Sequence, residues 1–484
     1  MAAPPERMRL SDRLEISRVL TGLWQVADIE KDGAVIDPNK GADWLEAYAA
    51  RGFDTFDMAD HYGTAELISG CLLARGTSPR PLAFTKWCPA PGPMTAQVVR
   101  EGVTDRLERL GVERVDLLQF HWWSFLHPAW LDALHELTRL REEGLIAEIG
   151  VTNFDAAHAG LALSDGIPLL TNQVSFSLVD RRAADALSAL SSETDLKLLA
   201  YGTLCGGFLS ERWLRQPEPL DLTDWSKMKY KRFIDVAGGW APFQGILQAA
   251  DEIARRHGVS IANVATRWVL SHPAVAGVIV GARLGERVHT DDNEKLFSFT
   301  LDAEDHAQLE AAFAATDPIP GDCGDEYRRP PFLTASGDLS HHLDTMPLPH
   351  TSERAPSGKL RVLSGSKWED IAGYCRAQRI GDRILVSGTT ATAGADRVVA
   401  PFDARAQTVF VLDKILAALS ALGASAEDVV RTRIYIVDEA DVDTVSQAHG
   451  RVFGEIKPAN TLVVVAGLIG GYRVEIEAEA ILPG

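Results

Sequence analysis

Residues 115–122, Val115-Asp116-Leu117-Leu118-Gln119-Phe120-His121-Trp122, are apolar with little alternation, and the segment 128–143 behind them is amphipathic at helical spacing. A run that is apolar on both sides suits a strand buried on both faces, as a parallel sheet covered by helices requires. The unit recurs. Apolar runs at 19–24, 55–60, 82–87, 148–154, 169–176, 196–203 and 277–283 are separated by longer helix-like segments such as 98–110 and 181–191. In the last of these, Ala184, Leu187 and Leu190 fall at spacings of three. Eight strand–helix alternations within about 300 residues is the count for a (β/α)8 barrel. A doubly wound sheet would place a glycine-rich phosphate turn after its first strand, and Gly22-Leu23-Trp24-Gln25 is not one. The expected fold is α/β, a TIM-type barrel.

Behind the barrel the texture changes. Residues 318–358 are rich in Pro, Gly, Ser, Asp and His without periodicity. Their second half, 344–358, reads as a linker, while the first, carrying Tyr327, Phe332 and two arginines, reads as a tail over the barrel mouth. Beyond it the pattern is α+β: a strand at 384–387, a helix at 404–422 capped by Gly423, and alternating strands at 430–437 and 472–482. The expected division is a barrel with its tail over 1–343, a linker over 344–358, and a small α+β domain over 359–484. A chain of 484 residues is too long for one ordinary core, which agrees.

Composition narrows the function. A net charge of −19 argues against nucleic acid or an anionic membrane as partner, though a local positive cluster can still hold an anionic cofactor. Five scattered cysteines, with no Cys-x-x-Cys pair and no metal-ligand spacing, read as reduced thiols, and no metal site is expected. The opening residues lack the apolar run of a secretory signal, and no stretch has the ~20 apolar residues of a membrane span. The expected compartment is the cytoplasm.

In such a barrel the active site lies where the strands end. Asp57 falls near the end of the second strand with Tyr62 shortly after it, Lys86 near the end of the third and His121 near the end of the fourth. These four types together are equipment for proton transfer to a carbonyl oxygen. A phenol titrates near pH ~10 and is a poor acid at neutrality unless a cation sits beside it. Lys86 would favour the phenolate of Tyr62, Asp57 would hold Lys86 in place, and His121 would orient the substrate oxygen. No side chain donates hydride, so a nicotinamide cofactor is implied.

Phe56-Asp57-Met58-Ala59-Asp60-His61-Tyr62-Gly63, Thr85-Lys86, Asp116-Leu117-Leu118-Gln119-Phe120-His121, Gly150-Val151-Thr152-Asn153-Phe154, Asn172-Gln173-Val174 and Ala200-Tyr201-Gly202-Thr203-Leu204 resemble, in order and spacing, the signature segments of the aldo-keto reductase superfamily. The resemblance implies that Tyr62 is the general acid, supported by Asp57, Lys86 and His121. It implies that Thr152, Asn153 and Gln173 bind the nicotinamide carboxamide, and that Tyr201 stacks on its ring. Gly202, Thr203, Leu204, Gly206 and Gly207 would follow the pyrophosphate, with Gly22 and Trp24 lining the mouth. Gly281-Ala282-Arg283 resembles the adenosine-phosphate loop, where Arg283, helped by Arg287, would grip a 2′-phosphate and favour NADPH over NADH. The family's Glu-Asn pair near the adenine is blurred here into Thr290-Asp291-Asp292-Asn293, with Asn293 the assigned contact. Trp24, Trp87 and Trp122 are the expected aromatic wall of the substrate pocket, and the long aromatic segment 220–242 the expected specificity loop.

In the second domain, Val386-Ser387-Gly388, Gln407-Thr408, Leu422-Gly423-Ala424-Ser425, Pro458-Ala459 and Val474-Glu475-Ile476-Glu477-Ala478 resemble the RidA/YjgF family of small trimeric proteins, some of which hydrolyse enamines and imines. The resemblance implies a chorismate-mutase-like α+β fold and a cleft containing Ser387, Asn460 and Glu475. Active members carry an arginine where this chain has Asn460, and an asparagine supplies no charged bidentate clamp. The expectation is an NADPH-dependent reductase of an aldehyde, ketone or cyclic imine, built into homotrimers by its second domain. The alternatives are a slow nucleotide-binding sensor or scaffold, and a reductase fused to an enamine or imine hydrolase.

Overall fold

The computed structural model describes residues 4–26, 35–286, 288–329, 333, 346–394 and 396–483. Two short strands, β1 (Arg7–Arg9) and β2 (Glu15–Ser17), pair antiparallel. The barrel strands follow: β3 (Val19–Gly22), β4 (Thr55–Asp57), β5 (Leu82–Trp87), β6 (Val115–His121), β7 (Ile146–Thr152), β8 (Leu169–Ser175), β9 (Lys197–Tyr201) and β10 (Val275–Gly281). Each pairs parallel with the next and β10 closes on β3, making the closed eight-stranded barrel of the TIM architecture. Every residue of β4, β6, β7 and β8 is buried, as continuous apolarity implied.

Helices α1 (Pro38–Ala49), α2 (Ala65–Leu73), α3 (Ala96–Leu110), α4 (Ala129–Glu142), α5 (Ala156–Ser164) and α6 (Ala186–Glu193) follow the strands in turn. Local chemistry sets their ends. Thr95 caps α3 by accepting from the Val98 N–H, and Gly111 ends it at φ 62°. Asp155 caps α5 by accepting from the His158 N–H. Between β9 and β10 lie α7 (Trp225–Val236), α8 (Trp240–His257) and α9 (Ile261–Leu270). After β10 come α10 (Thr290–Lys295), α11 (Ala303–Phe313) and the short tail helix α12 (Asp325–Arg328).

The base of the barrel is plugged. Leu14 and Ile16 of the β1–β2 hairpin join Leu20, Phe84, Leu117, Leu170, Leu199 and Ala276 from inside the barrel in one apolar cluster. Among the described residues, the opposite end, where the strands finish, opens on a cavity.

The second domain begins inside the stretch read as linker. β11 (Ser352–Arg354) and β12 (Leu360–Val362) pair antiparallel across a turn that contains Pro356 and Gly358 at φ 81°. The Pro/Gly signal was that of a hairpin turn, not of an open tether. Next come α13 (Lys367–Ala372), β13 (Ala377–Ile380), β14 (Arg383–Thr390), the ribbon β15 (Thr392–Ala393) and β16 (Arg397–Val398), and α14 (Ala404–Ala421). β17 (Val429–Ile436), α15 (Val442–Phe453), β18 (Ala459–Val464) and β19 (Val474–Ile481) complete the chain. The sheet runs β11-β12-β13-β14-β19-β17-β18. Along β19, Val474, Ile476, Ala478 and Ala480 are buried and alternate with less buried residues, the period of two expected. No helix among the described residues is long and apolar enough to cross a membrane.

Candidate active site

Strand register brings the polar residues to one layer. Gly22 pairs with Asp57, Lys86 with Gln119, His121 with Thr152, and Thr152 with Gln173. All of them except Gln119 border one cavity of about 700 Å³ at the open end of the barrel.

Lys86 and Asp57 form a buried ion pair, each 3 % exposed. The Lys86 ammonium donates to Asp57 Oδ2 at 2.7 Å and to the Met58 carbonyl at 2.8 Å. Asp57 Oδ1 accepts from Gln119 at 3.0 Å and from Gln173 at 2.7 Å. A buried pair is stable when its remaining lone pairs and protons are met in this way. The Tyr62 ring centroid lies 5.0 Å from the Lys86 ammonium, with Trp24 and His61 edge-on at 5.0 and 4.8 Å. His121 is held by an Nδ1 contact of 3.2 Å with the Thr152 carbonyl and by Trp123, 4.3 Å away edge-on.

Around the mouth, Asn153 sits at φ 59°, a left-handed geometry that asparagine tolerates, and its Oδ1 accepts from the Tyr201 hydroxyl at 2.8 Å. Burial, with Tyr327 and Glu326 nearby, raises the Tyr201 pKa well above its ordinary value. Gly202, Gly206 and Gly207 all have positive φ, and a side chain at 202 would run into the Tyr230 hydroxyl of α7. Arg283, at the far end, pairs with Asp224 at 3.1 Å. Gly22, Trp24, Thr203, Leu204, Gly281 and Asn293 border the same cavity. Arg287 lies outside the described residues.

A nicotinamide dinucleotide suits these residues. The buried hydroxyls of Thr152 and Thr203 have no hydrogen-bond partner among the described residues, and such groups normally find one. Gly202, Gly206 and Gly207 border the cavity, with open space beside Gly207, and Arg283, paired with Asp224, borders it as well.

Two expected wall residues lie elsewhere. Trp87 packs against Gly102 and Phe120 behind β5, and Trp122 is fully buried with its indole N–H on the His127 carbonyl. Neither borders the cavity. Successive strand residues point to opposite faces, so Lys86 and His121 facing inward turn Trp87 and Trp122 outward. Trp123, Lys229 and Tyr327 border the cavity instead. Tyr327 is delivered by the tail: its hydroxyl accepts from the Lys229 ammonium at 2.6 Å and its ring lies 5.6 Å from His121. The α7 segment supplies Lys229. Among the described residues, Asp60, His61 and Cys88 also bring three potential metal-ligand atoms within 4.8 Å of one another, and burial, then Asp60, raises the Cys88 thiol pKa well above its ordinary value.

In the second domain Asn460 lies apart from Glu475 within one chain, whereas the Glu475 carboxylate sits against Gly388, next to Ser387. Asn460 of β18 pairs with Thr432, while Glu475 of β19 pairs with Tyr435, three steps further along β17, or ~10 Å. The Ser387 hydroxyl donates to the Cys375 carbonyl.

Residues 18–314 match the family model described as Aldo/keto reductase family, and residues 365–482 the model described as Endoribonuclease L-PSP. The 6-dehydroglucose reductase of Agrobacterium fabrum is 28 % identical over 301 residues, 59 % of this chain and 91 % of that protein. The solved glycerol dehydrogenase of Gluconobacter oxydans is 24 % identical, covering 66 % of this chain and 98 % of that one, with a TM-score of 0.53. A solved member of the YjgF/YER057c/UK114 family from Mycobacterium tuberculosis is 43 % identical, covering 26 % of this chain and 99 % of that one, with a TM-score of 0.23.

Proposed function

The chain belongs to the aldo/keto reductase family, and from that premise we propose that it is an NADPH-dependent reductase of carbonyl compounds, with Tyr62 as general acid. The single observation that supports this most is the one cavity that collects Asp57, Tyr62, Lys86 and His121 beside Thr152, Asn153, Gln173 and Tyr201. Bound cofactor supplies the hydride. The chain's own residues do the rest. His121 and Tyr62 take the substrate oxygen between them, and Tyr62 gives it a proton as charge builds there. Lys86 stabilises the phenolate left behind, and Asp57 with its two glutamine donors holds Lys86 in place. Trp24, Trp123 and Tyr327 shield the reacting atoms from water. A cyclic imine is the second substrate class, since its nitrogen can take the same proton.

Calorimetric titration with NADPH and NADH, followed by an absorbance assay over aldehydes, ketones and cyclic imines, tests the reading. Binding without turnover on any of them would favour a nucleotide sensor, and no binding would sink the proposal. Arg283→Ala should weaken NADPH by about 10–100-fold, the worth of a lost charge-assisted bidentate contact, and leave NADH nearly unchanged. Equal loss for both nucleotides would remove Arg283 from the 2′-phosphate.

For the second domain we propose trimerisation. The separation of Asn460 from Glu475 supports it, because a cleft holding both needs a second copy, and so do Val463 and Val464, exposed on the edge strand β18 at 40 % and 51 %. Light scattering should give the mass of three chains; a monomer would refute it. Sparse, unpaired cysteines support a cytoplasmic setting.

A further inference from the structure

The second domain holds helix α5 of the barrel at both ends. At the first, His158 is 2 % exposed and bridges two carboxylates, with Nδ1 2.7 Å from Asp155 and Nε2 2.9 Å from Asp413 of α14. Arg451 of α15 reaches the same Asp155 at 3.6 Å. At the other end, the Ser164 hydroxyl donates to Asp403 at 2.6 Å, and Asp165 accepts from Arg397 and from the Ala400 N–H.

The first end adjoins the open mouth of the barrel. Asp155 caps α5 and follows Asn153 by two residues. The Asn153 carbonyl accepts from Arg328 of the tail at 2.5 Å, and so does the Trp122 carbonyl. The Arg328 guanidinium lies 4.3 Å over the Phe125 ring, and Phe125 stacks on His158 at 3.4 Å and 7°. A continuous set of contacts therefore runs from Asp413 through His158 and Phe125 to Arg328 and the backbone of Asn153.

We propose that Asp413 and Arg451 are positioning residues for the barrel's cofactor site, so that cofactor affinity depends on how the second domain is seated on α5. This rests on reading the cavity as a nicotinamide site. Asp413 and Arg451 touch no reacting atom. They fix Asp155 and His158, and through them the 152–155 turn that presents Thr152 and Asn153 to the cavity. Such coupling requires one element that both sites touch, and α5 with its Asp155 cap lies between α14 and the 152–155 turn.

The arrangement also carries a pH signature. Burial pulls the His158 pKa down, but Asp155 and Asp413 outweigh it and the net shift is upward. The other charges around Asp155 are Arg451, Arg328, Asp322 and Asp325, and burial, then Asp155, lifts Asp322 to about 6. A group raised on folding contributes fully below its ordinary pKa and loses that contribution as pH rises through the raised value. Once the imidazole is neutral it no longer carries the positive charge between Asp155 and Asp413, so if the seating governs the site, NADPH affinity should fall on the alkaline side.

The test measures NADPH dissociation constants by calorimetry across pH for the full-length parent, Asp413→Asn, Arg451→Gln and Asp403→Asn, with hydrogen exchange over residues 153–164. Asp413→Asn and Arg451→Gln should each weaken NADPH about tenfold, and Asp413→Asn should flatten the alkaline limb. Asp403→Asn keeps a capping side chain on α14 and loosens the far end of α5, so it should leave affinity within about twofold. Asp413→Glu should recover part of the loss. Parental affinity in Asp413→Asn, or equal weakening by Asp403→Asn, would overturn the coupling. A parent that binds no nicotinamide nucleotide would instead overturn the reading of the cavity, and the coupling with it.

Discussion

Tyr62→Phe is expected to bind NADPH as the parent does and to reduce its substrate about 10²–10⁴-fold more slowly, the usual worth of a positioned general acid. The ring stays, so its edge contacts with Trp24 and His61 and its place beside the Lys86 ammonium stay as well. The hydroxyl is lost, and the transferable proton with it. Because the hydroxyl acts when negative charge appears on the substrate oxygen, the loss should fall on turnover and not on cofactor affinity. Single-turnover absorbance with saturating NADPH makes the measurement. Unchanged turnover would show that the proton comes from another group, and His121 would be the next candidate.

The second large effect is expected at the ion pair. Lys86→Met leaves Asp57 buried with two amide donors and no counter-charge, a change that costs about 3–5 kcal/mol when one member of a buried pair is removed. It should also abolish reduction, since no ammonium then stands beside the phenol. Adding Asp57→Asn replaces the uncompensated carboxylate by a neutral amide of the same shape. The double variant should recover most of the stability, read as the first transition in urea, and none of the turnover. If the single variant were as stable as the parent, the pair would contribute nothing to the fold. If the double variant regained turnover, Lys86 would have no part in the chemistry.

How much of this was legible depends on what spacing can report. Continuous apolar runs gave the strands, and the rule that barrel sites lie at strand ends led to Asp57, Lys86 and His121 directly. The same alternation, carried one residue further, would have moved the aromatic wall from Trp122 to Trp123 and left Trp87 outside, because neighbours on a strand face opposite ways. That signal was present and unused. Lys229 and Tyr327 are different: no periodicity ties residue 229 or 327 to residue 121, and only the folded α7 and tail put them together. The hairpin at 352–362 was hidden because proline and glycine mark turns and tethers alike. The contact between His158 and Asp413 spans 255 positions, and nothing local to either residue announces it.

The way α5 is fastened bears on inheritance. Asp403, Asp413, Arg397 and Arg451 in one domain answer Ser164, His158, Asp165 and Asp155 in the other, so the two halves hold complementary parts of a single lock. A recombinant that joined this barrel to the tail of another lineage would meet unmatched charges at a buried seam, where an unpaired carboxylate is costly. Such a graft is expected to lose stability unless both sides change together. The four residues and their partners should therefore drift as a set, and the fusion, once made, is hard to undo by swapping either half.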